Sequence, residues 1–122
     1  MVVFSDRRAG LAAELWVSAA IAREMLRATA AAARRMASDR WERELARWLA
    51  ERSEVAAGID ASEIAWSPEH FEHQRQFVVD AIEHATTRSP HAPMLMRWRA
   101  ILEAHPRAFV QFGRRWIWLA TA

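Results

Sequence analysis

The stretch WSPEHFEHQRQF, residues 66–77, sets two histidines and two glutamates within about three helical turns. Imidazole and carboxylate groups ligate metal ions and move protons near neutral pH, so chemistry would be sought here first. Read as a helix, Glu69, His73, Asp80 and His84 share one stripe, opposite Phe71, Val78, Ile82 and Ala85, with His70 at the margin near Phe77. Glu69 with His73, and Asp80 with His84, are four residues apart, and each pair could supply two metal ligands. Zinc needs three or four, so each pair would require help from another helix. The pairs lie roughly 15 Å apart along a straight helix, at about 1.5 Å per residue, so one ion cannot use both. No histidine has a glutamate three residues before it, as a di-iron bundle needs, and His-Glu-x-x-His is absent. The expectation is therefore structural. Glu69 and Glu72 complement a helix N-terminus, the histidines are solvated, and the chain takes no metal and no cofactor.

Other chemistries are excluded more simply. The chain has no cysteine, which removes disulfides, thiolate zinc sites and thiol catalysis together. Gly10, Gly58 and Gly113 are the only glycines, too far apart for a phosphate-cradling loop. No Gly-x-Ser-x-Gly occurs, and Ser67 and Ser89 read as caps before proline. One stretch, RAILEAH from Arg99 to His105, resembles the Arg-x4–6-His motif of HEPN-domain ribonucleases. The resemblance implies a helical RNA-cleaving site built from those two residues, usually across a dimer. It covers seven residues and departs from the family at Ala100, where a polar residue is usual. Arg99 paired with Glu103, and His105 ending a helix before Pro106, account for the same residues without catalysis.

Charge is informative through its distribution. All 17 basic residues are arginine, and with no lysine or tyrosine a net charge of +2 suffices to carry the pI to about 10.8. Abundant alanine and arginine, without lysine or asparagine, suggest a GC-rich bacterial genome. Residues 1–84 hold 11 arginines against 14 carboxylates, whereas residues 85–122 hold six arginines against Glu103 alone. That final third also carries Trp98, Phe109, Phe112, Trp116 and Trp118.

The elements that must position these residues read as helices throughout. At 122 residues and 52% apolar composition, the chain suits one domain, 1–122, with a proper core. A long N-terminal helix is predicted from Ser5 as N-cap to about Ala37, its core face marked by Leu11, Leu15, Ala22, Met25, Ala32 and Met36. A second begins near Ser38 or Asp39 and ends at Gly58, burying Trp41, Leu45, Trp48, Leu49, Val55 and Ala56. Asp39 with Arg43, and Arg47 with Glu51, lie four apart on its outer side. Asp60 and Glu63 have capping-box spacing, enough for a single turn. Ser67 and Pro68 open a third helix running to about Ala85. Pro93 opens a fourth through Ala104, with Trp98 beside Leu95 and Leu102. The tail from Pro106 reads as a helix with Phe109, Phe112, Trp116 and Leu119 on one face. The alternative is a hairpin of FVQF and RWIWL around Gly113, which would lack a partner sheet. The predicted fold is all-α, a single-domain bundle of four to five helices.

The functional expectation follows from these absences. The protein is a non-enzymatic helical interaction protein, a subunit, adaptor or neutraliser, that meets an acidic protein partner through its basic C-terminal third. The binding residues are Arg97, Arg99, Arg107, Arg114, Arg115 and Trp118, the tryptophan standing away from the apolar face of the helical tail. The alternative is that the same arginines grip a nucleic-acid backbone, with Trp118 available for stacking. Homo-oligomerisation is compatible with either. No leader pattern and no membrane span is expected, and the cytoplasm is the default location.

Overall fold

The computed structural model describes residues 1–6, 13–64, 71–104, 109–112 and 115–118, the last two stretches by their backbone. The fold is mostly helical, as expected. Four α-helices, α1 (Ala19–Met36), α2 (Arg40–Val55), α3 (Phe71–Thr86) and α4 (Ala92–Ala104), carry the core. α1 packs against α2 and α3, and α3 packs against α4. No described helix is long and apolar enough to cross a membrane.

The N-terminal segment corrects the predicted long helix. β1 (Val2–Asp6) pairs antiparallel with β2 (Ala13–Val17), matching Phe4 with Leu15 and Val2 with Val17. Helix begins only at Ala19, where the Ser18 hydroxyl accepts from the Ile21 N–H at 3.2 Å. The physical reason is a two-residue period. Leu15 and Val17 are buried while Glu14 and Trp16 are exposed, an alternation that places opposite faces on a strand. The β-branched and aromatic run Val2, Val3, Phe4 favours the same geometry. Leu11 lies outside the described residues.

A third extended piece joins this hairpin. The Ser5 N–H donates to the Ile59 carbonyl at 3.0 Å, the Ser5 hydroxyl donates to Asp60 Oδ1 at 2.9 Å, and Ser5 bridges Asp60 in parallel register. Gly58 permits the approach: a Cβ there would lie 1.8 Å from the Val3 carbonyl oxygen. That is its role, rather than closing α2. The helix ends at Val55, and Ala56 takes the left-handed turn with φ of 47°. Asp60 and Glu63 do form the expected capping box, around a short 3₁₀ turn at Ala61–Glu63.

α2 buries a face rotated from the predicted one. Glu42, Leu45, Ala46, Leu49 and Ser53 are buried, whereas Trp41 is 40% exposed and Val55 68% exposed. Trp48 lies at the edge, with the Arg52 guanidinium 5.5 Å from its ring centroid. Trp98 is fully buried with Leu95 and Leu102, and its ring lies 4.8 Å from that of Phe4. One core cluster joins both N-terminal strands, the 3₁₀ segment and all four helices.

α3 buries Val78, Ile82 and Ala85 as expected, and adds Gln74, Arg75, Phe77, Val79 and Ala81. Ser67, Pro68, Glu69 and His70 lie outside the described residues, as does the side chain of Phe71. The tail corrects a second helix prediction. β3 (Phe109–Phe112) pairs antiparallel with β4 (Arg115–Trp118), with Phe109 opposite Trp118 and Val110 opposite Ile117. Two four-residue runs rich in aromatic and β-branched residues suit a pleated pair better than a helix, and this outweighs the missing partner sheet. Gly113 and Leu119 lie outside the described residues.

Candidate functional site

α1 and α2 pack through small residues on the side that faces solvent: Ala30 and Ala31 on one, Ala46 and Ala50 on the other. Alanine gives good helix propensity with little volume, so the seam between the two helices is a trough. Long side chains wall it. Arg27, Arg34 and Arg35 rise from α1, and Arg43 and Arg47 from α2, around an open cleft of about 860 Å³. All five arginines are exposed, and none takes part in an ion pair among the described residues. Glu54 is the one carboxylate in the lining among the described residues.

The glutamates interleaved with these arginines in sequence are turned elsewhere. Glu44 accepts from Arg40 at 3.0 Å, and Glu42 faces α3. The four-residue pairs predicted on the outer side of α2 are replaced accordingly: Arg43 and Arg47 line the cleft, and Asp39 faces His73. The sequence carried a signal for this, because Arg27 and Arg34 are seven apart and Arg43 and Arg47 four apart, each pair on one helical face. It could not reveal that the two faces meet.

The predicted binding residues fare differently. Arg97 is exposed on α4 without an ion pair among the described residues. Arg99 is held on both sides, its Nε 2.6 Å from Glu103 and an Nη 3.8 Å from Glu83. Arg107 and Arg114 lie outside the described residues; Arg115 and Trp118 are placed on β4 by backbone only. The helical geometry that set Trp118 apart does not apply on a strand. Arg99 pairs with Glu103 as their spacing predicts, and His105 lies outside the described residues.

The opening stretch gains an unforeseen neighbour. Asp39 caps α2, its Oδ1 accepting from the Glu42 N–H at 2.9 Å. Glu42 Oε1 in turn accepts from the Ser38 N–H at 2.9 Å and the Ser38 hydroxyl at 2.8 Å. The second oxygen of each carboxylate points to α3, where His73 Nε2 lies 3.1 Å from Glu42 Oε2 and 3.8 Å from Asp39 Oδ2. Burial works to raise the Glu42 pKa, but hydrogen bonds from Ser38 and the Asp39 backbone together outweigh it and the neighbouring Asp39 charge, so the carboxyl is held below its usual value. Of the other candidate pair, Asp80 accepts from Gln76 at 2.8 Å, and His84 is exposed. His91 instead contacts Glu24.

Comparison of the chain with protein-family models, with curated proteins and with solved structures finds no match.

Proposed function

We propose that this protein is a non-enzymatic binding module that holds the phosphate backbone of a nucleic acid in the cleft between α1 and α2. One observation carries the reading: among the described residues, five arginines without an ion pair converge on one trough beside a single carboxylate. Concentrated unpaired positive charge repels itself and is matched by a partner of dense negative charge. Guanidinium forks suit phosphate oxygens, to which they can donate in pairs. Among the described residues the lining is built of arginine, alanine, one serine and one glutamate, which fits contact with the backbone rather than with the bases.

The same lining argues for binding rather than reaction. Among the described residues it has no histidine, and its one hydroxyl, on Ser53, already donates to the Ala50 carbonyl at 2.5 Å. A cytoplasmic site of action goes with this reading, since nucleic acid is the partner. The cleft is preferred to the C-terminal arginines as the binding surface because its five arginines line one trough, whereas Arg99 of that set is already held by Glu103 and Glu83. An acidic protein remains the rival partner for that third.

The test is fluorescence anisotropy with unrelated single- and double-stranded oligonucleotides across a salt series. Five engaged arginines should give log–log salt slopes near −4.5 on duplex and −3.5 on single strands, from about −0.9 and −0.7 per phosphate. Arg43→Ala with Arg47→Ala should bring either slope closer to zero by roughly 1.4–1.8, whatever the base sequence. Absence of binding at low salt overturns the proposal. Full binding by that double variant, with loss on Arg114→Ala and Arg115→Ala, would return the function to the C-terminal third.

A further inference from the structure

We infer that Asp39, Glu42 and His73 form a site for one divalent transition-metal ion of the zinc type, joining the start of α2 to α3. The three donor atoms, Asp39 Oδ2, Glu42 Oε2 and His73 Nε2, all lie within 4.8 Å of one another. Metal–ligand bonds of about 2.0–2.1 Å in a tetrahedron set neighbouring donors roughly 3.3 Å apart. The His73–Glu42 separation of 3.1 Å already has that spacing, and 3.8 Å from His73 to Asp39 is close to it. Only the Asp39 carboxylate needs to swing inward, and its side chain is half exposed and able to do so.

The carboxylates are oriented independently of any ion. Each spends one oxygen on the backbone at the start of α2, Asp39 on the Glu42 N–H and Glu42 on the Ser38 N–H, which leaves the other oxygen aimed at His73. Outer hydrogen bonds of this kind fix ligand orientation and raise affinity. The start of α2 thus supplies two ligands to join His73 of α3 in reaching three. An imidazole nitrogen with two carboxylate oxygens selects zinc and its neighbours in the first transition row over magnesium and calcium, which prefer all-oxygen shells. Two anionic ligands balance the charge of the ion, and the half-exposed side leaves a position for water. None of the three residues lines the arginine cleft, so this inference does not depend on the proposed function.

The experiment is calorimetric titration of the full chain, stripped with chelator, against zinc, magnesium and calcium chlorides. Expected are one zinc per chain at micromolar concentration, a melting temperature raised by several degrees with zinc, and neither effect with magnesium or calcium. His73→Gln, Asp39→Asn and Glu42→Gln should each weaken zinc at least about tenfold. Asparagine still caps a helix, and glutamine still accepts from Ser38, so circular dichroism in chelator should match the parent chain. If either α2 variant fails to fold, His73→Gln carries the test alone, because its side chain is half exposed. No saturable zinc binding, or equal binding by His73→Gln, overturns the site.

Discussion

At the scale of the residue, tryptophan shows how little side-chain type says about placement. Trp98 and Trp41 each lie on a helix among leucines, yet one is wholly buried against Phe4 and the other is 40% exposed. Removing a fully buried ring leaves a cavity that the surroundings fill only in part. Trp98→Ala should therefore cost about 3–5 kcal/mol, and urea unfolding measures it. Trp41→Ala should cost well under half of that in the same assay. Equal losses would mean that Trp41 is covered. Glu42 is the converse case, a carboxylate buried on the rotated face of α2, outside the predicted apolar stripe. It is tolerated there because the Ser38 N–H and hydroxyl and the His73 imidazole face its two oxygens.

Elements are held in this fold by close backbone approach as well as by apolar faces. β1 is sandwiched between β2 and the extended segment at Ile59–Asp60, and Phe4 reaches from it into the helical core. Gly58 is the contact that lets this happen, so Gly58→Ala must push Val3 away and break the Ser5–Ile59 hydrogen bond. The expected loss is roughly 2–3 kcal/mol, or about 8–12 °C in melting temperature. Amide exchange would locate the Gly58 effect in residues 2–6. Protection of the Ser5 amide unchanged in Gly58→Ala would show that the segment is not what pins the strand.

For the whole molecule, the arginine cleft implies a conflict between stability and binding. Five like charges along one seam repel, while salt screens them over about 8–10 Å. Arg43→Gln with Arg47→Gln should raise the melting temperature at low salt by about 1–3 °C, and the gain should vanish near 1 M salt. The same variant should lose most of its affinity for polyanions. A variant that is both less stable and fully active would mean that these arginines serve packing. Oligonucleotide added to the parent chain should itself raise the melting temperature, through mass action on the folded state.

Helical content, the boundaries of α4, the Asp60–Glu63 capping box and the burial of Trp98 were all legible in the sequence. Each depends on spacing along one segment, where 3.6-residue periodicity and cap chemistry act locally. Strand against helix in Glu14–Val17 was not settled by the residues chosen to mark the helix, since Leu11 and Leu15 at a spacing of four fit either period. The direction of α2 was beyond reach as well, because a helix carrying both tryptophans and arginines can turn several faces inward. Only packing against α1 and α3 decided that Leu45 and Leu49 go in, that Arg43 and Arg47 flank a trough, and that Asp39 and Glu42 meet His73. Asp39 and Glu42 lie more than 30 positions from His73, and the arginines of the cleft come from two separate helices. Nothing local encodes these juxtapositions, because they arise from how whole faces bury area against one another.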